Sequence, residues 1–524
     1  MYIFFIKKKH KKKFIVKTKG TIFTLILHRY HYMKTIFKSV LLLFLLVFSL
    51  QSCEDQDDVE SPADLQVKDF VWKGLNQYYL WQADVPNLAD NRFNSQEALN
   101  SFLRGYSKPE ELFQDLLNKP ISKFPKGQAI DRFSWIVDDY TVLEQELQGT
   151  SKNDGVDFRL SYKPNSNTEL VGYVRYILPN SNASTKDIKR GDLFTAVNGT
   201  QLTVSNYQAL LAADSYTLNM VNFNATTSTF ESNGKSVALV KTTLDENPIF
   251  INKVITSGSH KIGYLLYNGF YANYDAQLNA AFATLKSQGI TDFVLDLRYN
   301  GGGSIQTATR LASMITGQFT TKVFAKEKWN AKINDYFEIN DPESLNNRFV
   351  DKIDGAAINS LNLTKIYILT TSGTASASEL VINGLVPYIS VVQIGETTTG
   401  KNVGSITLYD SPTFGKAGRN PNHKYAMQPL VLKIVNASDF GEYTNGLPPT
   451  FEQLERITNL GVLGDASEPL LNVAISKITG STSKKVQLDQ GIALKAFTDS
   501  KALSGIKNQM YLEKAPEGLL RSLK

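Results

Sequence analysis

Four hydroxyl side chains lie close together in residues 372–384, whose sequence is SGTASASELVING. Small residues separate these three serines and one threonine, and the apolar stretch that follows is typical of a helix. A hydroxyl at the start of a helix either caps the backbone or acts as a nucleophile. A nucleophilic hydroxyl needs a base to take its proton, so the next question is which residue could supply one.

Histidine is scarce in this chain. Three of the five histidines precede residue 33, and the other two are His260, at the start of a predicted strand, and His423, in an Asn/Pro-rich loop. Neither has a nearby aspartate that would indicate a Ser-His-Asp triad. With two such histidines, one cysteine and no HExxH motif, the sequence predicts no metal site and no cofactor.

Lysine is the residue type that remains as a candidate base. Lys401 lies in the small-residue loop GETTTGKNVG, directly after the predicted buried strand SVVQI. A lysine at its ordinary pKa of about 10.4 is protonated at neutral pH, but burial without a counter-ion lowers the pKa by up to several units. The alternative is a solvated lysine in a polar loop.

A glycine loop follows another predicted strand, in DLRYNGGGS (residues 296–304). Backbone N–H groups in such a loop can point outward without obstruction by side chains, which suits an oxyanion. They equally suit a phosphate at a helix N-terminus. No GxGxxG or GxxxxGK[ST] motif is present, so the sequence lacks a nucleotide-binding fingerprint.

Changes in the pattern of predicted helices and strands along the chain predict several domains. Strands alternate with helical patterns in the largest block, which indicates a mostly parallel sheet with its site at the carboxyl ends of the strands. The predicted regions are a signal region (1–53), an acidic tether (54–64), a helical N-terminal domain (65–148), a β domain (150–245), an enzymatic core (250–480) and a C-terminal extension (481–524). Residues 325–362 separate the glycine loop from the serine loop and are expected to form either a lid or substrate wall, or a peripheral insertion.

The N-terminus has the pattern of a secretory signal. From Met33, the expected start of translation, two lysines precede an unbroken apolar run that is too short for a typical membrane-spanning helix. Leu50-Gln51-Ser52-Cys53 resembles a bacterial lipobox, which implies lipidation of Cys53 and a cell-envelope, outer-membrane lipoprotein facing the periplasm or the surface. Residues 1–53 carry 11 Lys and Arg, so the remainder has 45 basic and 50 acidic residues. This balance gives no support to nucleic-acid binding, although a basic arm at residues 1–32 is a competing interpretation.

The β domain contains GDLFTAVNG (residues 191–199), which resembles a strand and turn of the PDZ family. The resemblance implies that a peptide adds as a strand to a sheet edge, with its carboxylate held by backbone N–H groups. The corresponding loop here is Gly155, Val156, Asp157 and Phe158. Many PDZ domains have glycine where Asp157 stands, so weaker carboxylate binding is expected. The alternative is a β module without a ligand.

Three ordered motifs, DLRYNGGG, SGTASASEL and GETTTGKN, resemble those of the C-terminal processing (tail-specific) peptidases, which are PDZ-containing serine proteases with a Ser-Lys dyad. The resemblance implies an α/β, multidomain α+β fold with a Clp/crotonase-like core of mixed sheet and helices. It makes Ser376 the nucleophile and Lys401, 25 residues later, its base. The N–H groups of Ala377 and of Gly302 or Gly303 would form the oxyanion hole. Many members have a glutamine that orients the lysine where this chain has Ser405.

The sequence therefore predicts a secreted, lipid-anchored serine endopeptidase with protein or peptide substrates and no nucleic-acid partner. Its oligomeric state is not predicted. The alternative is a catalytically weak or inactive surface lipoprotein that binds peptides with the same fold, since Asp157 and Ser405 depart from the family pattern. A phosphate-dependent enzyme is a third interpretation, and it rests on the glycine loop alone.

Overall fold

The structure is a computed structural model that describes residues 61–481, 492–503 and 508–513. The predicted signal region and Cys53 lie outside the described residues. Within those ranges, no helix is both long enough and apolar enough to cross a membrane.

The described residues form helices and strands throughout. The helices are α1 (Gln66–Tyr78), α2 (Gln96–Leu103), α3 (Pro109–Asp115), α4 (Tyr140–Glu146), α5 (Tyr207–Ala212), α6 (Asp275–Ser287), α7 (Ile305–Thr316), α8 (Ala331–Asn340), α9 (Ala377–Leu385) and α10 (Pro469–Thr479). The strands are β1 (Trp135–Val137), β2 (Thr150–Asn153), β3 (Val156–Tyr162), β4 (Leu170–Ile177), β5 (Leu193–Val197), β6 (Thr200–Gln201), β7 (Ser215–Asn224), β8 (Thr229–Val240), β9 (Thr242–Asp245), β10 (Ile249–Ser257), β11 (His260–Tyr267), β12 (Asp292–Asp296), β13 (Gly303–Ser304), β14 (Val323–Trp329), β15 (Asn346–Arg348), β16 (Lys352–Ile353), β17 (Ala356–Ala357), β18 (Lys365–Thr370), β19 (Ser390–Gly395), β20 (Val403–Ser405), β21 (Leu408–Tyr409), β22 (Ala426–Gln428), β23 (Leu430–Asn436), β24 (Phe451–Glu452), β25 (Ala496–Asp499) and β26 (Met510–Tyr511).

The N-terminal helices pack onto the rest of the molecule. The buried residues of α1 belong to the same hydrophobic core as those of β12, α7 and β23. Gly74 permits a close approach, because a Cβ at this position would lie 2.6 Å from Cε of Met427 on β22. Helices α1 to α3 therefore form one wall of the main core.

An antiparallel sheet covers residues 156–240 in the order β3-β4-β5-β7-β8, with β6 paired to β5. Alternating apolar residues on its strands fill a separate core, in which the rings of Phe158 and Phe194 meet edge to face at 5.4 Å. Strand β25, from the C-terminal region, adds to the free edge of β3.

The central sheet has the order β10-β11-β12-β18-β19-β24, and β11, β12, β18, β19 and β24 run parallel. Helix α6 connects β11 to β12, and α9 connects β18 to β19, as the alternating pattern predicts. The glycine loop follows β12 and the serine loop follows β18. Both loops therefore emerge at the carboxyl edge of the same sheet, where sites of parallel sheets form.

A second six-stranded sheet, in the order β13-β26-β20-β23-β14-β15, contains part of the segment 325–362. Strand β14 pairs along its length with β23, and Trp329, Ile333 and Phe337 are buried in the main core. This part of the segment is built into the fold, so it is not a peripheral insertion, and its role as a substrate wall stays a prediction.

Candidate active site

Ser376 stands at the start of α9 in a strained conformation. Its φ of +66° falls in the left-handed region that side chains other than glycine rarely adopt. Strain of this kind is found where the surrounding structure fixes a residue, often at functional sites. The side chain is fully buried, and Oγ makes no hydrogen bond within the described residues. A buried hydroxyl without a partner is available for chemistry.

Lys401 lies in the loop between β19 and β20 and is fully buried. Its Nζ donates a hydrogen bond to the carbonyl oxygen of Asn508 at 2.7 Å and lies 5.0 Å from the ring centre of Phe133. Burial lowers the pKa of Lys401 to about 7, and the more distant charges of Asp131 and Glu379 reverse only part of this shift. A substantial fraction of this amine is therefore neutral at physiological pH and able to accept a proton.

The carboxylate of Glu379 joins the serine and the lysine. It accepts hydrogen bonds from the backbone N–H groups of Ser376 (2.7 Å), Gly400 (2.6 Å) and Lys401 (2.9 Å). An acid in the first turn of a helix also suits the helix dipole. In the structure, this one buried side chain fixes the start of α9 against the lysine loop.

The glycine loop lies against the serine. A Cβ on Gly302 (φ +108°) would lie 2.6 Å from Cβ of Ser376, so this position requires glycine. The hydroxyl of Ser378 donates to the carbonyl oxygen of Asn300 at 3.1 Å. The loop and the helix are therefore held together on both sides of the nucleophile.

The three predicted oxyanion donors differ in their present partners. The N–H of Ala377 makes no hydrogen bond in the part of the chain that the structure describes. The N–H of Gly303 donates to the carbonyl oxygen of Gln509 at 2.5 Å, so it already binds a peptide carbonyl. The N–H of Gly302 donates to Oδ1 of Asn300 at 2.8 Å. Gly302 therefore contributes close backbone packing and its N–H is in use, so Ala377 and Gly303 stay the predicted oxyanion donors.

Ser405, which stands where many family members have a lysine-orienting glutamine, makes no hydrogen bond to Lys401 within the described residues. Its Oγ donates to the carbonyl oxygen of Met510 at 3.2 Å, and its own carbonyl accepts from the N–H of Leu512 at 3.1 Å. The reason is that Ser405 ends β20, whose edge is occupied by β26. The lysine is instead positioned by Asn508 and Phe133, which the sequence did not indicate.

The predicted carboxylate loop begins at Gly155, whose φ is +93°. Asp157 forms a buried ion pair with Arg175, with Nη2 of the arginine 3.0 Å from Oδ2. The N–H of Phe158 donates to the hydroxyl of Ser500 at 3.2 Å, while that of Val156 bonds internally to Asp154 at 2.9 Å. The negative charge of Asp157, expected to weaken carboxylate binding, is thus balanced by Arg175.

A cavity of about 300 Å³ joins this loop to the glycine loop. Its walls include Gly155, Phe158, Arg175, Gly302 and Gln509. The two sequence motifs, which are almost 150 residues apart, therefore border a single space.

Both remaining histidines have an aspartate partner, contrary to the sequence-based expectation. Nδ1 of His260 lies 2.7 Å from Asp292, and Nε2 of His423 lies 2.8 Å from Asp410. Neither ring has a hydrogen bond to a serine in the structure as described, so neither pair forms a Ser-His-Asp triad.

Comparisons with known proteins agree with this geometry. The family model "Peptidase family S41" matches residues 261–412, and "Peptidase S41 N-terminal domain" matches residues 66–135. A crystal structure of a protein assigned to the S41 proteases, from Bacteroides fragilis, aligns with a TM-score of 0.59 and 25% identity. The alignment covers 80% of this chain and 98% of that one.

Two curated relatives match a smaller part of this chain. The chloroplastic C-terminal processing peptidase of Tetradesmus obliquus is 26% identical over 48% of this chain and 51% of its own length. The carboxyl-terminal-processing protease of a Picosynechococcus species is 24% identical over 41% of this chain and 50% of its own length. The chain thus spans about half the length of these relatives.

Proposed function

Since the chain belongs to peptidase family S41, we propose that it is a serine endopeptidase that cleaves polypeptides through Ser376 and Lys401. One observation carries the proposal: a buried serine hydroxyl without a partner and a buried lysine with a pKa of about 7 are held on the same carboxylate, Glu379. A nucleophile and a neutral base are the two groups that acyl transfer requires.

The residues of the site can perform each step. Neutral Lys401 takes the proton of Ser376 as Oγ attacks the peptide carbonyl carbon, and the N–H groups of Ala377 and Gly303 stabilise the resulting oxyanion. The lysine then gives its proton to the leaving amine as the C–N bond breaks and an acyl ester remains on the serine. Water attacks the ester with the lysine again as base, which releases the acid and restores the hydroxyl.

The β domain is proposed to bind substrate termini. The edge of β3 that faces away from β4, on which β25 lies in this structure, and the backbone of the loop at Gly155 to Phe158 have the form of a strand-addition site. Arg175 adds a positive charge beside that loop. A terminal carboxylate is therefore the proposed feature that distinguishes substrates, and a substrate with an amidated C-terminus is expected to be cleaved more slowly.

Anchoring in the cell envelope rests on the sequence alone. The proposal is that Cys53 carries a lipid and that the enzyme works at a bacterial outer membrane. Incorporation of a fatty-acid analogue into the wild-type protein, and its loss in Cys53→Ser, is the expected result. Equal incorporation in the two proteins would contradict the anchor without affecting the proposed chemistry.

The test of catalysis is covalent labelling of the serine by a fluorophosphonate probe. Labelling is expected in the wild type and is expected to be lost in Ser376→Ala and Lys401→Ala. The matched control is Ser372→Ala, which removes an exposed hydroxyl four residues away and leaves labelling unchanged. A folded protein that never labels at Ser376 and never cleaves an unstructured polypeptide would favour the peptide-binding lipoprotein instead.

A further inference from the structure

Described parts of the C-terminal region lie against both the β domain and the catalytic loops. Two of its described parts, residues 496–503 and 508–513, contact the β domain and the catalytic loops respectively. They are named the groove segment and the site segment below. Nothing in the sequence of the C-terminal extension indicated contact with either site.

The groove segment binds as a peptide strand. Its strand β25 pairs antiparallel with β3, with Thr498 opposite Leu160 and Asp499 opposite Arg159. The ring of Phe497 packs edge to face on Tyr162 of β3 (5.4 Å) and Tyr207 of α5 (5.1 Å). An added strand whose side chain enters an apolar groove between a strand and a helix is the geometry of peptide capture by strand addition.

The same segment then covers the predicted carboxylate loop. Ser500 accepts the N–H of Phe158 and donates to Asp157 at 3.1 Å. Asp499 places its carboxylate 3.7 Å from Arg175. The backbone donor and the positive charge proposed for a substrate terminus are therefore both in use.

The site segment occupies the catalytic centre. The carbonyl oxygen of Asn508 accepts from Nζ of Lys401, and that of Gln509 accepts from the N–H of Gly303. A Cβ on Gly302 would lie 2.2 Å from the oxygen of Gln509 and 2.6 Å from Cβ of Ser376. The carbonyl oxygen of Gln509 and Cβ of Ser376 are therefore within about 5 Å of each other. A peptide carbonyl of the site segment thus lies beside the nucleophile, where a substrate carbonyl must lie.

The site segment continues beyond the nucleophile as a sheet strand. Strand β26 lies between β13 and β20, and the N–H of Leu512 donates to the carbonyl of Ser405 at 3.1 Å. Lys401 donates to Asn508 while Oγ of Ser376 has no partner within the described part. With this segment in place, the base is bound to the segment and the nucleophile is covered.

We propose that the groove segment and the site segment act as an internal ligand of this enzyme: they fill the peptide groove and the nucleophile site together and leave before a substrate polypeptide can bind. This inference rests on the proposed peptidase function and adds its regulation in cis. An attached ligand acts at an effective concentration in the millimolar range. A site that is free for about a tenth of the time binds substrate with an apparent affinity about tenfold weaker.

A reversible disulfide tests the proposal within one protein sample. A Cβ on Gly301 would lie 3.3 Å from N and 3.7 Å from Cα of Asn508, so side chains at these two positions are direct neighbours, as a disulfide requires. The variant is Gly301→Cys with Asn508→Cys, in a Cys53→Ser background that removes the natural thiol. Oxidation should slow fluorophosphonate labelling at least about tenfold, and reduction should restore the rate. The single variant Gly301→Cys controls for oxidation of a lone thiol.

Two results would overturn the inference: failure of the two cysteines to join under oxidant, or a disulfide that forms without changing the labelling rate. A protein that labels in neither the oxidised nor the reduced state would point to failure of the proposed catalysis instead. The two failures are therefore distinguishable.

A second pair of variants opens the segment without a cross-link. Leu512→Pro removes the N–H that bonds to Ser405, whereas Leu512→Ala shortens the same side chain and keeps that donor. Labelling and peptide cleavage should rise about tenfold in the proline variant relative to the alanine variant. Equal rates in two folded proteins would contradict the inference, and if the proline variant fails to fold, the disulfide result decides.

Discussion

Arg298 and Lys401 are both completely buried among the described residues, and their surroundings differ. Arg298 forms ion pairs with Asp296 at 2.8 Å, Glu468 at 2.6 Å and Glu455 at 3.1 Å. Burial alone would lower its pKa, but these carboxylates more than offset the effect and raise the pKa well above its ordinary value. Lys401 has no carboxylate within ion-pair distance among the described residues, and burial lowers its pKa to about 7.

The difference assigns the two residues different work. Arg298 lies in the stretch between β12 and the three glycines. It donates hydrogen bonds to Glu455 and Glu468, near α10, and these bonds fix the position of that stretch. A permanent charge with fixed partners suits positioning. Lys401 must gain and lose a proton, and its lack of a close carboxylate makes this possible. The presence or absence of carboxylate partners therefore decides whether a buried cation keeps its charge and positions other residues or can act as a base.

The largest effect on stability is expected at the arginine. Arg298→Met leaves buried carboxylates without their partner, which should lower the free energy of unfolding by about 3–5 kcal/mol. Urea unfolding followed by circular dichroism measures the change. A matched variant, Arg310→Met, removes a partly exposed arginine paired to Asp275 and should cost less. An equal loss of unfolding free energy in the two variants would mean that the buried ion-pair network of Arg298 contributes no more to stability than a partly exposed ion pair.

A new carboxylate near the lysine should make Lys401 resemble Arg298. In Phe133→Glu, the ring 5.0 Å from Nζ is replaced by a negative charge. An opposite charge at about 4–6 Å raises the pKa of a lysine by about 1–3 units. The midpoint of the pH–rate profile should move upward by that amount, while the control Phe133→Gln should move it much less. A midpoint that moves equally in both variants would contradict the claim that a nearby carboxylate sets the pKa of the buried cation.

Removal of the buried amine should stabilise the fold. Because the pKa of Lys401 is about 7 when folded and about 10.4 when unfolded, the unfolded state binds more protons between these values. Wild-type stability should therefore rise with pH across this range. Lys401→Met should gain about 1–3 kcal/mol below pH 7 and nothing above pH 10. Thermal unfolding at pH 6.5 and pH 10.5 measures both, and a pH-independent gain would contradict a lowered pKa.

The smallest effect is expected at Ser405. Because its hydroxyl bonds to Met510 and not to Lys401, Ser405→Ala should leave the pH midpoint of labelling unchanged. The rate itself should change less than about threefold, the size of one neutral hydrogen bond lost to the site segment. A shifted midpoint would show that this serine does orient the lysine.

The local parts of the site could be predicted from the sequence. Ser376, Ala377 and the glycine loop follow strands of one parallel sheet, so their proximity follows from the alternation of strands and helices. The family resemblance then connected Ser376 to Lys401. The sequence places Glu379 in the first turn of the predicted helix. The N–H groups of Gly400 and Lys401 that it binds, however, come from a loop whose path the sequence does not specify.

The parts that escaped prediction depend on contacts between distant residues. Asn508 reaches a lysine 107 residues earlier, and a backbone carbonyl leaves no signature in a sequence. His260 meets Asp292 because β11 and β12 pair in a particular parallel register. Ser405 was assigned to the lysine by position along the chain, whereas the pairing of β20 with β26 turns it toward Met510.

The pH dependence of fluorophosphonate labelling of wild-type Ser376 tests the central claim most directly. If Lys401 is the base, the labelling rate should rise through a single ionisation near pH 7 and remain level at higher pH. A rate that is constant from pH 6 to 9, or that rises only near the ordinary pKa of lysine at about 10.4, would contradict a neutral, buried lysine as the base.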